Sequence, residues 1–214
     1  MTEVTLKFTR EEYAQRLTKT RRAMEEKGVD LLIVSDPSNM NWLTGYDGWS
    51  FYVHQCVVVP PEGEPIFFGR GMDAVGARFT AYLGEPNIIG YPDDYVQNTQ
   101  KHPMDLLSQI LTDKGWGARR IGVEMDNYWF SAAAFAALQK HLPHAKFSDT
   151  TGLVNWQRAV KSPTELDYMR KAGAIVTKMH ERIFDKIEPG MRKCDLVAEI
   201  YDAGIRGTDG FGGD

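Results

Sequence analysis

The 214-residue sequence predicts an α/β domain whose mixed sheet is flanked by helices, followed by the first helices of a second domain. Three observations predict this organisation. Short apolar strand segments alternate with helical patterns over about residues 1–155. After Leu153 the pattern changes to two long amphipathic helices, and the last residues are rich in glycine. Because two such helices cannot bury both faces without a partner layer, residues 156–214 are expected to begin a domain that is incomplete.

The elements of the first region follow from capping residues and apolar runs. Thr9 with Glu12 three residues later predicts the start of a helix that ends near Gly28. Two further helices are predicted over Pro103–Lys114 and Ser131–Leu142. Apolar runs bounded by turn residues predict strands, of which the second and third form a hairpin: Leu31–Val34 (ended by the turn residues Ser35–Asn39), Cys56–Val59, Ile66–Phe68, 87–90, Arg120–Val123 and 145–147.

The second region opens on a strong helix signal. Ser162 is a capping residue, Pro163 suits the first turn, and Glu165 completes a capping box. Apolar residues then recur at helical spacing as far as Pro189, and a second helix is predicted from about Lys193 to Tyr201.

Composition and charge exclude several classes of protein. The formal net charge of −4 provides no dense cationic stripe for nucleic acid. The longest apolar stretches are far shorter than the roughly 18 residues that a membrane helix needs. Charged residues near the N-terminus argue against a secretion signal. Two distant cysteines, Cys56 and Cys194, argue against a disulfide framework, so a cytoplasmic protein is expected.

The segment Tyr46–Gln55 is the most informative candidate for function. It places four aromatic residues, an acid, a histidine and an amide within ten positions. Aromatic side chains in a loop are costly to leave in water unless they contact something. Two interpretations stay open at this point: the rings bind a ligand, or they fill the domain core or a dimer interface.

Several sequence strings resemble the creatinase/aminopeptidase P family, whose catalytic domain has the pita-bread fold. The strings are DPSNMNWLTGY and WQRAVKSPTELDYMRKAG, and the second contains the pattern of Lys161, Ser162 and Glu165. The resemblance implies a creatinase-type N-terminal domain over 1–155 and a truncated pita-bread α+β domain over 156–214. Four longer strings are similar to a branch that opens a small cyclic amidine: Ser38–Gln55, Gly90–Gln97, Ile121–Tyr128 and Leu153–Ser162.

The resemblance also implies site residues and partners. In creatinase-like enzymes the equivalent loop reaches the active site of the neighbouring subunit. A homodimer and a small zwitterionic substrate are therefore expected, with neither nucleic acid nor membrane as partner. An aromatic wall suits a delocalised cation. The substrate-binding residues predicted from the loop, and from the segment after the third strand, are Trp49, Phe51, Tyr52, His54, Gln55, Arg70 and Asp73.

The resemblance leaves the catalytic residues outside this sequence. Ring opening needs a water, a base that activates it and an acid that protonates the leaving nitrogen. The strands that carry such residues in the family are expected beyond Asp214, so no metal ligand or cofactor is predicted in this chain. The chain alone is expected to be inactive.

Other activities and other roles for polar residues also stay open. A metal-dependent Xaa-Pro peptidase would hold divalent ions through residues of the parent protein, and a non-catalytic dimerising or binding fragment is the other alternative. His54 is a candidate for titration or for a structural hydrogen bond. Glu124, Asp126 and Asn127 follow a strand, where a turn or a helix cap is favoured over a site.

Overall fold

The computed structural model describes residues 4–208 and 210–213. Within those residues the chain forms eight α-helices and six strands. It divides into two compact units, residues 1–159 and residues 160–214. This division lies four residues after the domain boundary that the sequence predicts.

A mixed six-stranded sheet organises the first unit, as predicted. The strands are β1 (Leu31–Val34), β2 (Cys56–Val59), β3 (Ile66–Arg70), β4 (Ile88–Tyr91), β5 (Arg120–Val123) and β6 (Lys146–Asp149). Their order in the sheet is β4-β3-β2-β1-β5-β6. The pairs β1·β2 and β2·β3 are antiparallel, and the pairs β3·β4, β1·β5 and β5·β6 are parallel.

Helices cover both faces of this sheet. These helices are α1 (Arg10–Glu26), α2 (Pro37–Thr44), α3 (Gly71–Thr80), α4 (Pro103–Asp113), α5 (Ala132–His141) and α6 (Leu153–Ala159). The central strand β1 is buried throughout, and its side chains alternate between two cores because successive residues of a strand point to opposite faces. Leu32 and Val34 pack in the core with α1, α2, α3 and α6, whereas Leu31 and Ile33 pack in the core with α4 and α5.

The N-terminal caps explain where the predicted helices begin. Thr9 accepts a hydrogen bond from the Glu12 amide, and Ser131 accepts one from the Ala134 amide. Three short helices, α2, α3 and α6, were not predicted. The residues Ser35–Asn39 were interpreted as a turn, but Asp36 caps α2 by accepting from the Asn39 amide. Turns and helix starts use the same capping residues, so burial of the α2 side chains decides between them.

The second unit consists of α7 (Pro163–Lys186) and α8 (Lys193–Arg206). The predicted capping box at the start of α7 is present, with Ser162 and Glu165 bonded to each other's backbone amides. An ion pair of 2.9 Å between Arg182 and Glu199 links the two helices. Several large apolar side chains of this unit are exposed, among them Met169, Val176, Phe184, Tyr201 and Ile205.

Candidate functional site

The segment Tyr46–Gln55, here called the aromatic loop, connects α2 to β2. Its first and last residues are hydrogen-bonded to each other: the Tyr46 hydroxyl donates to Gln55 Oε1 at 2.9 Å. Both side chains are buried. A Cβ at Gly48 would lie 2.7 Å from the Tyr46 hydroxyl oxygen, so only glycine allows the backbone to pass this close. The base of the loop is therefore closed by this buried hydrogen bond between Tyr46 and Gln55, here called the clasp.

Three further hydrogen bonds order the loop: two join it to its surroundings, and one lies within it. The Asp47 amide donates to Thr80 Oγ1 on α3 at 3.1 Å, and the Val53 amide donates to Ser50 Oγ at 3.3 Å. The Tyr91 hydroxyl of β4 donates to the His54 carbonyl at 2.7 Å. A loop that is held at both ends and in the middle presents its side chains in one arrangement, which lowers the ordering cost of binding.

Three aromatic rings of the loop point outward. Trp49, Phe51 and Tyr52 are between 50% and 77% exposed. Their ring centroids are 6.0 Å apart for Trp49 and Phe51 and 5.1 Å apart for Phe51 and Tyr52. The fourth aromatic residue, Tyr46, packs into the core. The loop thus buries its polar clasp and leaves three of its four rings available for contact.

Arg70 anchors the exposed ring of Tyr52. Its guanidinium donates to both carboxylate oxygens of Asp93, at 2.7 and 2.8 Å, and to the Tyr52 hydroxyl at 3.3 Å. The Arg70 hydrogen bonds lower the pKa of Asp93 below its usual value. The bidentate partner of Arg70 is therefore Asp93, which comes from the turn after β4.

Asp73 and Gln55 each carry a buried polar atom without a hydrogen bond. Within the described residues, Asp73 Oδ2 and Gln55 Nε2 have no partner. Burial raises the pKa of the Asp73 carboxyl, and the nearby charge of Arg70 opposes this shift. Gln55 is 1% exposed. Neither side chain is as exposed as the three rings, since Gln55 is buried and Asp73 is half-buried.

His54 and His102 form a pair at the end of the loop, with their ring planes tilted by 48°. Their ring centroids are 4.5 Å apart, and His54 Nε2 lies 3.4 Å from Ser131 Oγ. His102 caps α4, since its Nδ1 accepts from the Met104 amide at 3.1 Å. Burial lowers the pKa of both imidazoles, and for His102 burial together with the adjacent His54 lowers it to about 4. Both rings are therefore neutral at pH 7.

A small cleft lies beside the histidine pair. Its volume is about 140 Å³, and its lining includes Tyr52, His54, Tyr95, Lys101 and His102. Lys101 is paired with Asp94 and lies 4.2 Å from the centre of the Tyr95 ring. Ligand sites commonly measure 300–1,000 Å³, so this cleft alone is too small for a typical substrate.

A second polar cluster, here called the Glu124 network, was not predicted. Glu124 is 3% exposed, and its carboxylate accepts from the amides of Ser35 and Asp36 at 2.7 and 2.9 Å. It also accepts from Asn39 Nδ2 at 2.6 Å, and Arg158 donates to Asn39 Oδ1 at 2.7 Å. Burial raises the pKa of Glu124, and these donors counteract the shift. The network joins the ends of β1 and β5 to α2 and α6, so its role is structural.

Residues 4–208 and 210–213 contain neither a candidate metal cluster nor a candidate membrane span. No group of three or more His, Cys, Asp or Glu side chains in that part of the chain is arranged to hold a metal ion. No helix in the same part is long and apolar enough to cross a membrane.

The fold is that of the N-terminal half of prolidases. A prolidase from Thermococcus sibiricus matches with a TM-score of 0.73 and 16% identity, over 92% of this chain and 51% of the prolidase. Dipeptidase PepE from Mycobacterium ulcerans matches with a TM-score of 0.68 and 20% identity, over 94% of this chain and 52% of the dipeptidase.

The particular family follows from the sequence. Residues 16–160 match the Creatinase/Prolidase N-terminal domain, and the chain belongs to this family. It is 58% identical to ectoine hydrolase from Halomonas elongata, over the whole of this chain and 55% of that protein. Identity to a Xaa-Pro dipeptidase from Lactobacillus helveticus is 22%, over 86% of this chain and 48% of the dipeptidase. The chain spans about half the length of these relatives. The resemblance predicted from the sequence strings is confirmed.

Proposed function

We propose that this chain is the N-terminal part of a hydrolase that opens the ring of ectoine by cleaving a C–N bond. The supporting observation is the 58% identity to ectoine hydrolase along the entire chain, the aromatic loop included. The similarity to Xaa-Pro dipeptidases is much lower, at 22% to 23% identity. A peptidase activity is therefore the less supported alternative, as is a non-catalytic dimerising or binding fragment.

The aromatic loop is the proposed substrate-contacting element of this chain. Ectoine is a small zwitterion with a delocalised amidinium, and such a cation is attracted to the face of an aromatic ring. Trp49, Phe51 and Tyr52 are exposed and held in place, so we assign them the direct contacts. The other predicted residues are less exposed than the rings, and we assign them the positioning of the loop: His54, Gln55, Arg70 and Asp73.

The acid and base of the reaction are assigned to the part of the parent protein outside this chain. His102 caps α4, and His54 Nε2 lies 3.4 Å from Ser131 Oγ, so we assign both histidines structural hydrogen bonds. We propose that this chain itself holds no metal or cofactor. Its two free cysteines, one of them buried, suit a reducing cytoplasm, which is the proposed location.

A ring-truncation experiment in the full-length parent enzyme tests the proposed contacts. Replacing Trp49 or Tyr52 by Ala removes a cation–π contact of about 0.5–2 kcal/mol. At 1.4 kcal/mol per tenfold, the KM for ectoine should rise by roughly two- to thirtyfold. A contact equally strong in ground and transition states leaves kcat unchanged. Trp49→Phe should retain most of the affinity, because a π-face remains.

A matched control separates binding from general surface effects. Tyr128 is 100% exposed and lies outside the loop, so Tyr128→Ala should change neither KM nor the melting temperature. If Trp49→Ala and Tyr52→Ala lower the melting temperature but leave KM unchanged, the proposed contacts are wrong. Turnover of a Xaa-Pro dipeptide, abolished by a chelator, together with no turnover of ectoine, would replace the proposed activity by the peptidase.

The isolated chain provides an independent check. Because the acid and base are assigned to the remainder of the parent, the purified 214-residue chain should hydrolyse neither ectoine nor Xaa-Pro dipeptides. Turnover of ectoine by the purified chain, lost on His54→Ala, would show that the catalytic residues lie in this chain after all.

A further inference from the structure

A cavity lies at the end of the sheet where β1 and β5 begin. Its volume is about 560 Å³, within the range of about 300–1,000 Å³ that is common for ligand sites. Residues of α1, of the two strand starts and of the β2–β3 turn line it, and none of them belongs to the aromatic loop. The charged side chains of its lining are Arg21, Arg22, Glu25, Asp30 and Arg120.

Arg21 extends from α1 to the β2–β3 turn and is held there. Its Nε donates to the Pro60 carbonyl at 2.9 Å, and its Nη2 donates to the Gly63 carbonyl. Both acceptors are neutral, and among residues 4–208 and 210–213 no carboxylate forms an ion pair with this guanidinium. A guanidinium has five N–H donors, so several remain for an anion in the cavity.

Glu25 lies one turn further along α1 and is exposed. An acidic and a basic residue four positions apart on a helix ordinarily pair with each other. The neighbouring residues Arg22 and Glu26 do so, at 3.1 Å. Arg21 is instead directed to the turn carbonyls, so Glu25 keeps its carboxylate for another partner.

The remaining charged pair of the lining is closed. Arg120 donates to both carboxylate oxygens of Asp30, from Nε at 3.0 Å and from Nη2 at 2.6 Å. Hydrogen bonds from the side chain and the backbone of Arg120 lower the pKa of Asp30 to about 2. The two charges of the lining that are not neutralised by a side-chain pair are therefore those of Arg21 and Glu25, one of each sign.

Two apolar side chains complete the cavity. Met24 and Val29 line it and are 2% and 5% exposed, as parts of the core beneath α1. They form its buried floor. Contact with such a floor favours a ligand that has an apolar portion.

We propose that this cavity binds a small zwitterion with a carboxylate, an ammonium group and an apolar portion, as in an α-amino acid. The carboxylate binds Arg21, the ammonium group binds Glu25, and the apolar portion lies on Met24 and Val29. Charge-assisted hydrogen bonds at both ends distinguish this ligand from a simple acid or a simple amine. The proposal goes beyond the proposed function, because no residue of the aromatic loop takes part and it holds for any reaction of the parent protein.

Titration of the isotope-labelled chain with L-leucine, followed by nuclear magnetic resonance, tests the proposal. The Arg21 Nε–H signal and the amides of α1 should shift, with a dissociation constant of about 1 mM, as expected for a few charge-assisted contacts. Glu25→Gln removes the partner of the ammonium group and should weaken binding roughly tenfold. Asp126→Asn removes the same charge after the other end of β5, at an exposed site, and should leave the affinity unchanged.

Two probes that each carry one of the charges sharpen the experiment. Acetate and methylammonium should each bind roughly tenfold more weakly than L-leucine, because each makes only one charged contact. The spectrum of each variant shows directly whether it is folded, and Glu25 is exposed, so its substitution should leave the fold intact.

Four results would overturn the proposal. L-leucine causes no saturable shift up to about 50 mM, which is far above the affinity of a specific site. Glu25→Gln binds L-leucine as tightly as the wild type does. Acetate binds as tightly as L-leucine, so that the carboxylate alone is recognised. The shifts occur on the aromatic loop and not on α1, so that the ligand binds elsewhere.

Discussion

The aromatic loop and the Glu124 network both contain buried polar side chains, but they differ in what they expose to solvent. In the Glu124 network a carboxylate is buried, and it accepts hydrogen bonds from the Ser35 and Asp36 amides and from the Asn39 side chain. In the aromatic loop the polar clasp of Tyr46 and Gln55 is buried, but three rings are displayed to solvent. The comparison shows that at both sites the buried polar groups are hydrogen-bonded, which offsets the cost of burying them. Only the loop also leaves apolar surface for another molecule.

The largest expected effect is at Glu124. Glu124→Ala leaves the amides of Ser35 and Asp36 buried without an acceptor, and each such donor costs about 1–3 kcal/mol. The free energy of unfolding should fall by about 3 kcal/mol or more in urea titrations. Asp126→Ala, at an exposed position two residues away, should change it by less than about 0.5 kcal/mol. A loss below 1 kcal/mol for Glu124→Ala would contradict the structural role of the network.

A smaller effect is expected at the clasp of the aromatic loop. Tyr46→Phe keeps the buried ring but removes the hydroxyl that bonds to Gln55 Oε1. The buried amide then loses this partner, at a cost of about 1–2 kcal/mol. Limited proteolysis should cut the loop faster in this variant. Tyr128→Phe removes only a fully exposed hydroxyl outside the loop, and we expect no measurable change in stability. Equal cleavage rates for the two variants would show that the clasp does not hold the loop.

The smallest effect concerns pH and the histidine pair. Burial and the adjacent His54 lower the pKa of His102 to about 4 in the folded chain. In the unfolded chain the same imidazole takes up its proton at higher pH, below about pH 6.5, so protonation favours the unfolded chain. Stability is therefore lost between about pH 6.5 and pH 4. The ring is partly exposed and water screens its charge, so the loss should stay near 1 kcal/mol.

His102→Asn is the variant that isolates this titration. Asn is a good helix cap and does not titrate, so the cap of α4 is kept while the pH dependence becomes weaker. His144→Asn, at an exposed site, should retain the full dependence of the wild type. The measurement is urea unfolding at pH 7 and pH 4.5. An identical loss of stability in wild type and His102→Asn would exclude His102 as the cause.

Much of the fold was predictable because its signals are local. The box of Ser162 and Glu165 opens α7, and Thr9 caps α1 where the pattern predicted. The buried strands were recognisable as short apolar runs. Helices α2, α3 and α6 were missed because they are short and, in α3, because its apolar stripe faces outward and its glycines resemble a turn. Tertiary packing, and not the local pattern, makes these three segments helical.

The candidate site was predictable in composition but not in arrangement. The density of aromatic residues in the loop marked it as unusual, and the residues that carry the family resemblance were sufficient for the assignment. Which rings are exposed was not predictable. Neither was the pairing of Arg70 with Asp93, since these residues are 23 positions apart and meet only because β3 and β4 lie side by side.

The sequence by itself determined the class of fold, the family and the segment that we propose contacts the substrate. Capping residues, apolar runs and aromatic density act over a few residues and need no partner from elsewhere. The tertiary structure alone decided that Glu124 is enclosed, that Tyr46 and Gln55 close the loop, and that Arg70 pairs with Asp93. These features depend on contacts between distant residues, because burial and hydrogen bonding are properties of the folded chain and not of any short segment.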